Sequence, residues 1–151
     1  MQVKSPEHFC CHRFHPRTKA GPQQPDSDRI GAAGVGDPYF PTMGNGGYDA
    51  DHYDLRLDVD PGNNHLKASC EMKARALQDL ETFNLDFRNF DIAHITVNGA
   101  VASFKREDGE LTITPQQPLL AGQDFSVKVD YSGNPVPYES SHAPITIGWN
   151  P

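Results

Sequence analysis

The sequence predicts an all-β fold: an antiparallel, sandwich-like domain of two packed sheets with a disordered N-terminal tail. Three observations predict it. Apolar and polar residues alternate with period two in run after run, turn dipeptides separate the runs, and no stretch requires a helix. Successive side chains of a strand point to opposite faces, so each run has one apolar and one polar face.

The first run follows a hinge, Gly44-Asn45-Gly46-Gly47, whose glycines permit backbone angles that other residues avoid. Tyr53, Leu55, Leu57 and Val59 then alternate with Asp54, Arg56 and Asp58, giving one greasy face and one charged face. Pro61-Gly62-Asn63-Asn64 is dense turn chemistry. Beyond it Leu66, Ala68, Cys70, Met72, Ala74 and Ala76 alternate with Lys67, Ser69, Glu71, Lys73 and Arg75, so the two runs predict a hairpin. The residue types of 66–80 favour a helix, but unbroken period-two alternation outweighs that propensity. Cys70 falls on the apolar register, where a free buried thiol acts as a small hydrophobe.

Phe83, Leu85 and Phe87 mark a third strand, and Ile95 and Val97 a fourth. The fourth enters Asn98-Gly99 and returns through Val101; Asn-Gly suits a type I′ turn, which needs positive φ at both positions. Asp108-Gly109 repeats the device before Leu111 and Ile113. Pro115 and Pro118 break the pattern, Ala121-Gly122 turns the chain, and Phe125, Val127, Val129 and Tyr131 alternate with Ser126, Lys128 and Asp130. Regularity is lost after Ser132-Gly133-Asn134-Pro135. Ile145, Ile147 and Trp149 alternate once more with no following turn, which predicts exposed apolar surface and self-association near Pro135–Trp149.

The 151 residues suffice for one ordinary domain. Residues 1–36 read as a disordered tail, and residues 37–151 as the domain. Residues 1–43 are rich in Pro, Gly, His and Gln. At 37–41 an extended arm, Asp37-Pro38-Tyr39-Phe40-Pro41, carries two aromatics able to pin it to the domain. The tail has five basic residues against three acids; of the net charge of −7 it contributes +2, leaving −9 for residues 37–151. An acidic domain argues against nucleic acid, whose phosphates need clustered Lys and Arg, and against an anionic membrane. No stretch approaches the roughly 18–20 apolar residues of a membrane span. No apolar core of a signal peptide stands in the first thirty residues, so the chain as written reads as cytoplasmic. Three cysteines do not make a disulfide framework.

Candidate chemistry is sparse. His8, Cys10, Cys11, His12 and His15 are possible metal ligands, but their spacing fits no standard finger, and they read as a tail that binds metal adventitiously. Asp49, Asp51, Asp54, Asp58 and Asp60 suggest calcium, yet no Glu closes the loop; Asp54 and Asp58 read better as the solvent face of a strand. His52, His65, His94 and His142 share no ligand spacing. There is no His-Glu-x-x-His, Gly-x-Ser-x-Gly or P-loop motif. Tyr138 and Trp149 could form a sugar-stacking platform, though single aromatics more often pack against a neighbouring element. No catalytic, cofactor-binding or metal residue is assigned.

The run DPYFPTMGNGGYDADHYDLRL at Asp37–Leu57 resembles the start of the amino-terminal β domain of bacterial aminopeptidase N-like zinc metallopeptidases. The likeness continues through LETFNLDFRNFDIAHITVNG, GELTITP, FSVKVDYSGNPVP and Gly148-Trp149; residues 1–36 have no part in it. In that family a thermolysin-like catalytic domain follows, with a His-Glu-x-x-His helix, a downstream Glu as third zinc ligand, and a zinc-bound water that attacks the first peptide bond. This sequence has none of those motifs. The resemblance implies a non-catalytic domain, inactive alone, that packs on the catalytic domain of its own polypeptide and helps wall the peptide-substrate cavity. It places zinc in the parent enzyme, reads the chain as a fragment truncated before the catalytic domain, and leaves export open. The rival reading is a free-standing β-sandwich binding module for a glycan or protein, which exposed aromatics on one sheet face would support.

Overall fold

The computed structural model describes residues 29–35, 38–39, 44–139 and 146–147. Ten strands are ordered β1 (Tyr48–Asp60), β2 (His65–Ala76), β3 (Phe83–Asp86), β4 (Asp91–Val97), β5 (Ala100–Val101), β6 (Ser103–Glu107), β7 (Glu110–Thr114), β8 (Asp124–Gly133), β9 (Tyr138–Glu139) and β10 (Thr146–Ile147). They form a five-stranded sheet, β1-β2-β8-β4-β5, a three-stranded sheet, β3-β7-β6, and a small β9-β10 pair. Every ladder among the described strands is antiparallel, and an isolated parallel bridge joins Ile30 to Thr82.

Turn chemistry sets the register. Asp60 accepts from the backbone N–H of Asn63 and from its side-chain amide, stabilising the 3-10 turn Pro61–Asn63, and Asn64 takes the left-handed conformation that returns the chain into β2. Asn98 and Gly99 have φ of 50° and 78°, and Asp108 and Gly109 have 50° and 92°, so both dipeptides turn their hairpins as expected. The helical alternative for 66–80 fails because β2 is held on both sides: Leu55 faces Cys70 and Cys70 faces Val129.

The core lies between the sheets. Met72, Ala74, Val127, Ile95 and Val97 of the large sheet meet Phe83, Leu111 and Ile113 of the small one, all buried. Phe83 is fully buried and meets the rings of Tyr48 and Phe125 edge-on, at centroid distances of 5.8 and 5.4 Å. Phe87 and Phe90 sit against Tyr131 at 5.2 and 5.4 Å. Leu80 and Leu119, in connecting segments, exchange two backbone hydrogen bonds and are buried.

Two expectations need correction, the buried thiol of Cys70 and the unpartnered strand at Ile147. Cys70 is half-buried rather than buried. Ile147 does have a strand partner, since β10 pairs with β9 with Ile147 opposite Tyr138. Ile145, Trp149, Phe40, His142 and residues 1–28 lie outside the described residues. Residues 29–35 are joined to the sheets: Gly31 N–H donates to Thr82, Ala32 and Gly46 exchange hydrogen bonds, and Arg29 pairs with Asp79 and Glu81.

The turn geometry yields a prediction. The Gly99→Val substitution meets no steric obstacle, since nothing lies within 4 Å of a Cβ placed there, but it forces a β-branched residue to positive φ. The expected loss is about 1–2 kcal/mol, read as a lower urea midpoint. Equal midpoints for parent and variant would contradict it.

Candidate interaction surface

Among the strands whose burial is described, β1 carries the most exposed regular apolar face. Its register against β2 shifts at Asp51, a bulge that keeps Tyr48 and Ala50 on the same face as Tyr53, Leu55, Leu57 and Val59. These last four face Met72, Cys70, Ala68 and Leu66 of β2. Across that one strand spacing burial changes abruptly. Met72, Ala68 and Leu66 are 2, 5 and 9% exposed, whereas Tyr53, Leu55, Leu57 and Val59 are 58, 52, 53 and 38% exposed. The greasy face read from the sequence therefore exists, but half of it stays in water. Among the described residues β1 has one ladder neighbour, β2, and no described strand pairs with its other edge.

The opposite face of the large sheet is polar. Arg56, Ser69, Asp130 and His94 form one cross-strand row. Asp130 accepts from His94 Nε2 at 2.8 Å and lies 3.3 Å from Lys128 Nζ. A hydrogen bond from Ser69, with smaller contributions from Lys128 and His94, holds its carboxyl below the usual carboxylate range. Asp54 pairs with Arg56 on its own strand at 3.3 Å. Asp54 and Asp58 are thus solvent-face residues, and Asp60 is a turn cap.

Between the sheets, next to Tyr53, opens a cleft of about 470 Å³ lined by Tyr48, Leu85, Phe87, Val129 and Tyr131, with Val35, Gly44 and Asn45 at its rim. Tyr48 OH donates to the Asn84 carbonyl at 2.9 Å, and burial pushes its hydroxyl pKa up. Beside the cleft, Glu110 and Asp86 face each other at the β3–β7 end. Oriented to satisfy both neighbours, the Asn45 amide donates to Glu110 Oε2 and accepts from the Asp86 N–H, each at 3.2 Å. Burial and the Asp86 carboxylate raise the Glu110 pKa, against a smaller opposing effect of Arg88.

Of the metal candidates, His52, His65 and His94 lie among the described residues, and the structure does not bring these three together. His52 is on β1, His94 is on β4, and His65 pairs through Nδ1 with Asn134 Oδ1 at 3.0 Å. Among the described residues no three of His, Cys, Asp and Glu converge. The backbone of Tyr138 lies in β9, and Trp149 is outside the described residues. The open β1 face was missed as a site because alternation reveals an apolar face without revealing what covers it.

No protein-family model matches the chain, and no curated protein matches it. Solved structures do. The M1 zinc metallopeptidase E323A mutant of Deinococcus radiodurans, bound to Tyr-Ser-Ala substrate, aligns with a TM-score of 0.67 at 30% identity, over 78% of this chain and 27% of that one. A second structure of the M1 zinc metallopeptidase from the same organism aligns with a TM-score of 0.65 at 29% identity, over 74% of this chain and 26% of that one.

The acidic pair yields a prediction. Because the folded Glu110 pKa lies above its ordinary value of 4.5, the folded state holds a proton that the unfolded state releases between those values. Stability therefore falls as pH rises through that window and stays lowered above it. Glu110→Gln should raise the urea midpoint at neutral pH, and the gain should vanish below pH 4.5. A gain of equal size at every pH would show that the charge is not its cause. By fold and by sequence, the chain resembles the amino-terminal β domain of aminopeptidase N-like M1 zinc metallopeptidases, spanning about a quarter of the length of those it matches.

Proposed function

We propose that this chain acts as the non-catalytic amino-terminal domain of a zinc-dependent aminopeptidase that removes N-terminal residues from peptides. The domain packs on the catalytic domain of the same polypeptide and helps wall the substrate cavity. The observation that carries this reading is the 30% identity to an M1 zinc metallopeptidase over 78% of this chain but 27% of the enzyme, whose structure holds a tripeptide substrate. The zinc chemistry belongs to the parent enzyme's catalytic domain. A free-standing β-sandwich binding module for a glycan or protein is less well supported: the polar face of the large sheet presents Asp54, Arg56, Lys67, Ser69, Lys128 and Asp130, with no aromatic platform among its described residues.

The reading is tested by adding this chain to a zinc-loaded M1 catalytic domain lacking its own β domain. The expected result is a complex by gel filtration and faster release of the first residue from a tripeptide, with no turnover from this chain alone in added zinc. No complex and an unchanged tripeptide rate would overturn it, as would turnover by this chain alone above a heat-killed control.

A further inference from the structure

We propose that the edge of β1 with which no described strand pairs is a homotypic interface on which a second copy of this chain pairs antiparallel, β1 to β1, with Leu55 on the two-fold axis. The inference goes beyond the peptidase reading and does not rest on it. The edge is unusual for its length and lack of protection. From Tyr53 to Asp60 it keeps an unbroken register with β2, contains no proline or lysine, and leaves its four apolar side chains 38–58% exposed. Natural sheets commonly guard such edges with short strands, bulges, proline or charge. Here the bulge lies at the far end, at Asp51, and the charges point to the polar face.

Self-pairing is chosen over another occupant because the strand complements itself. An antiparallel pair centred on Leu55 sets Leu55 against Leu55 of the second copy and Tyr53 against Leu57, which continues the apolar face across both molecules. On the polar face the same register sets Asp54 against Arg56, Arg56 against Asp54, and His52 against Asp58. Between His52 and Asp58 each cross-strand acid thus meets a base or an imidazole, while the bulge residue Asp51 falls opposite Val59 and Asp60 opposite Ala50. Neighbouring registers fail this test. Centring on Arg56 opposes two arginines and sets Asp54 against Asp58, and centring on Leu57 sets Asp54 against Asp60. A shift by one residue turns one sheet over, so that leucine faces arginine. A two-fold contact of this kind closes with two copies, so the product is a dimer and not a growing aggregate.

Sedimentation of the whole chain over a concentration series tests the proposal, with circular dichroism to confirm that each variant folds. The parent should pass from monomer to dimer. Arg56→Asp places like charges opposite each other twice per dimer and should weaken association roughly tenfold. Adding Asp54→Arg to Arg56→Asp restores the opposite-charge pairs in inverted order and should recover it. Leu55→Lys should also weaken the dimer. A parent that stays monomeric, an Arg56→Asp variant that associates as tightly as the parent, or a double variant that fails to recover would each overturn the proposal. Association that continues past the dimer would overturn it too.

Discussion

Everything in this domain depends on covering a long, wide sheet with a short, narrow one. β1 has 13 residues and β7 has 5, or roughly 40 Å against 15 Å at the rise of an extended chain. The small sheet therefore seals only part of the large one. Where it does, the interior is dry and aromatic: Phe83 reaches across to Tyr48 and Phe125, and Leu111 and Ile113 are fully buried. Where it does not, the same apolar face meets water. The partial exposure of Leu55 and Leu57 follows from this mismatch in size rather than from a defect in the strand.

This constraint also explains which parts of the fold were legible in the sequence. Strand existence was legible, because alternation is a local property and the β2 and β8 ladders are long enough to display it. The Asn98-Gly99 and Asp108-Gly109 turns were legible because their requirement for positive φ is met inside two residues. Coverage was not legible, because whether Leu57 is buried depends on a sheet supplied by residues far along the chain. Cys70 was misjudged for the same reason: its register is that of a core residue, but it lies opposite the exposed Leu55. Ile92 was missed because the shift at Ala93 breaks the period, putting Ile92 and Ile95 on one face at a spacing of three. β6 carries one apolar residue, Phe104, and offered no alternation to read.

Elements without periodicity close the sandwich. Gly31 is buried, and a Cβ there would come to 3.0 Å from the Phe83 Cα, so a side chain would push the segment off β3 by a few tenths of an ångström. The Asn84 side chain, itself buried, donates to the Gly31 carbonyl at 3.3 Å. Residues near the tail are thereby tied to the most buried aromatic of the domain. Their Gly-Ala-rich sequence gives no strand signal, because the tie is made by backbone groups and close approach rather than by side-chain pattern.

The strand that opens the sandwich is therefore asked to do two things at once. One ladder edge and one end of β1 belong to the core: Tyr48 packs on Phe83, and its hydroxyl is satisfied by Asn84. The other edge and the other end are finished neither by the small sheet nor by any described loop. A long edge strand is most easily tolerated when its surface is polar on both faces, and this one is polar on one face only. Its apolar half is therefore best understood through the contacts it leaves available. Surface that a small domain cannot bury for itself can be buried by another body, whether the remainder of a longer polypeptide or an identical strand. The alternating charges on its polar face restrict which identical strand, and in which register, satisfies them.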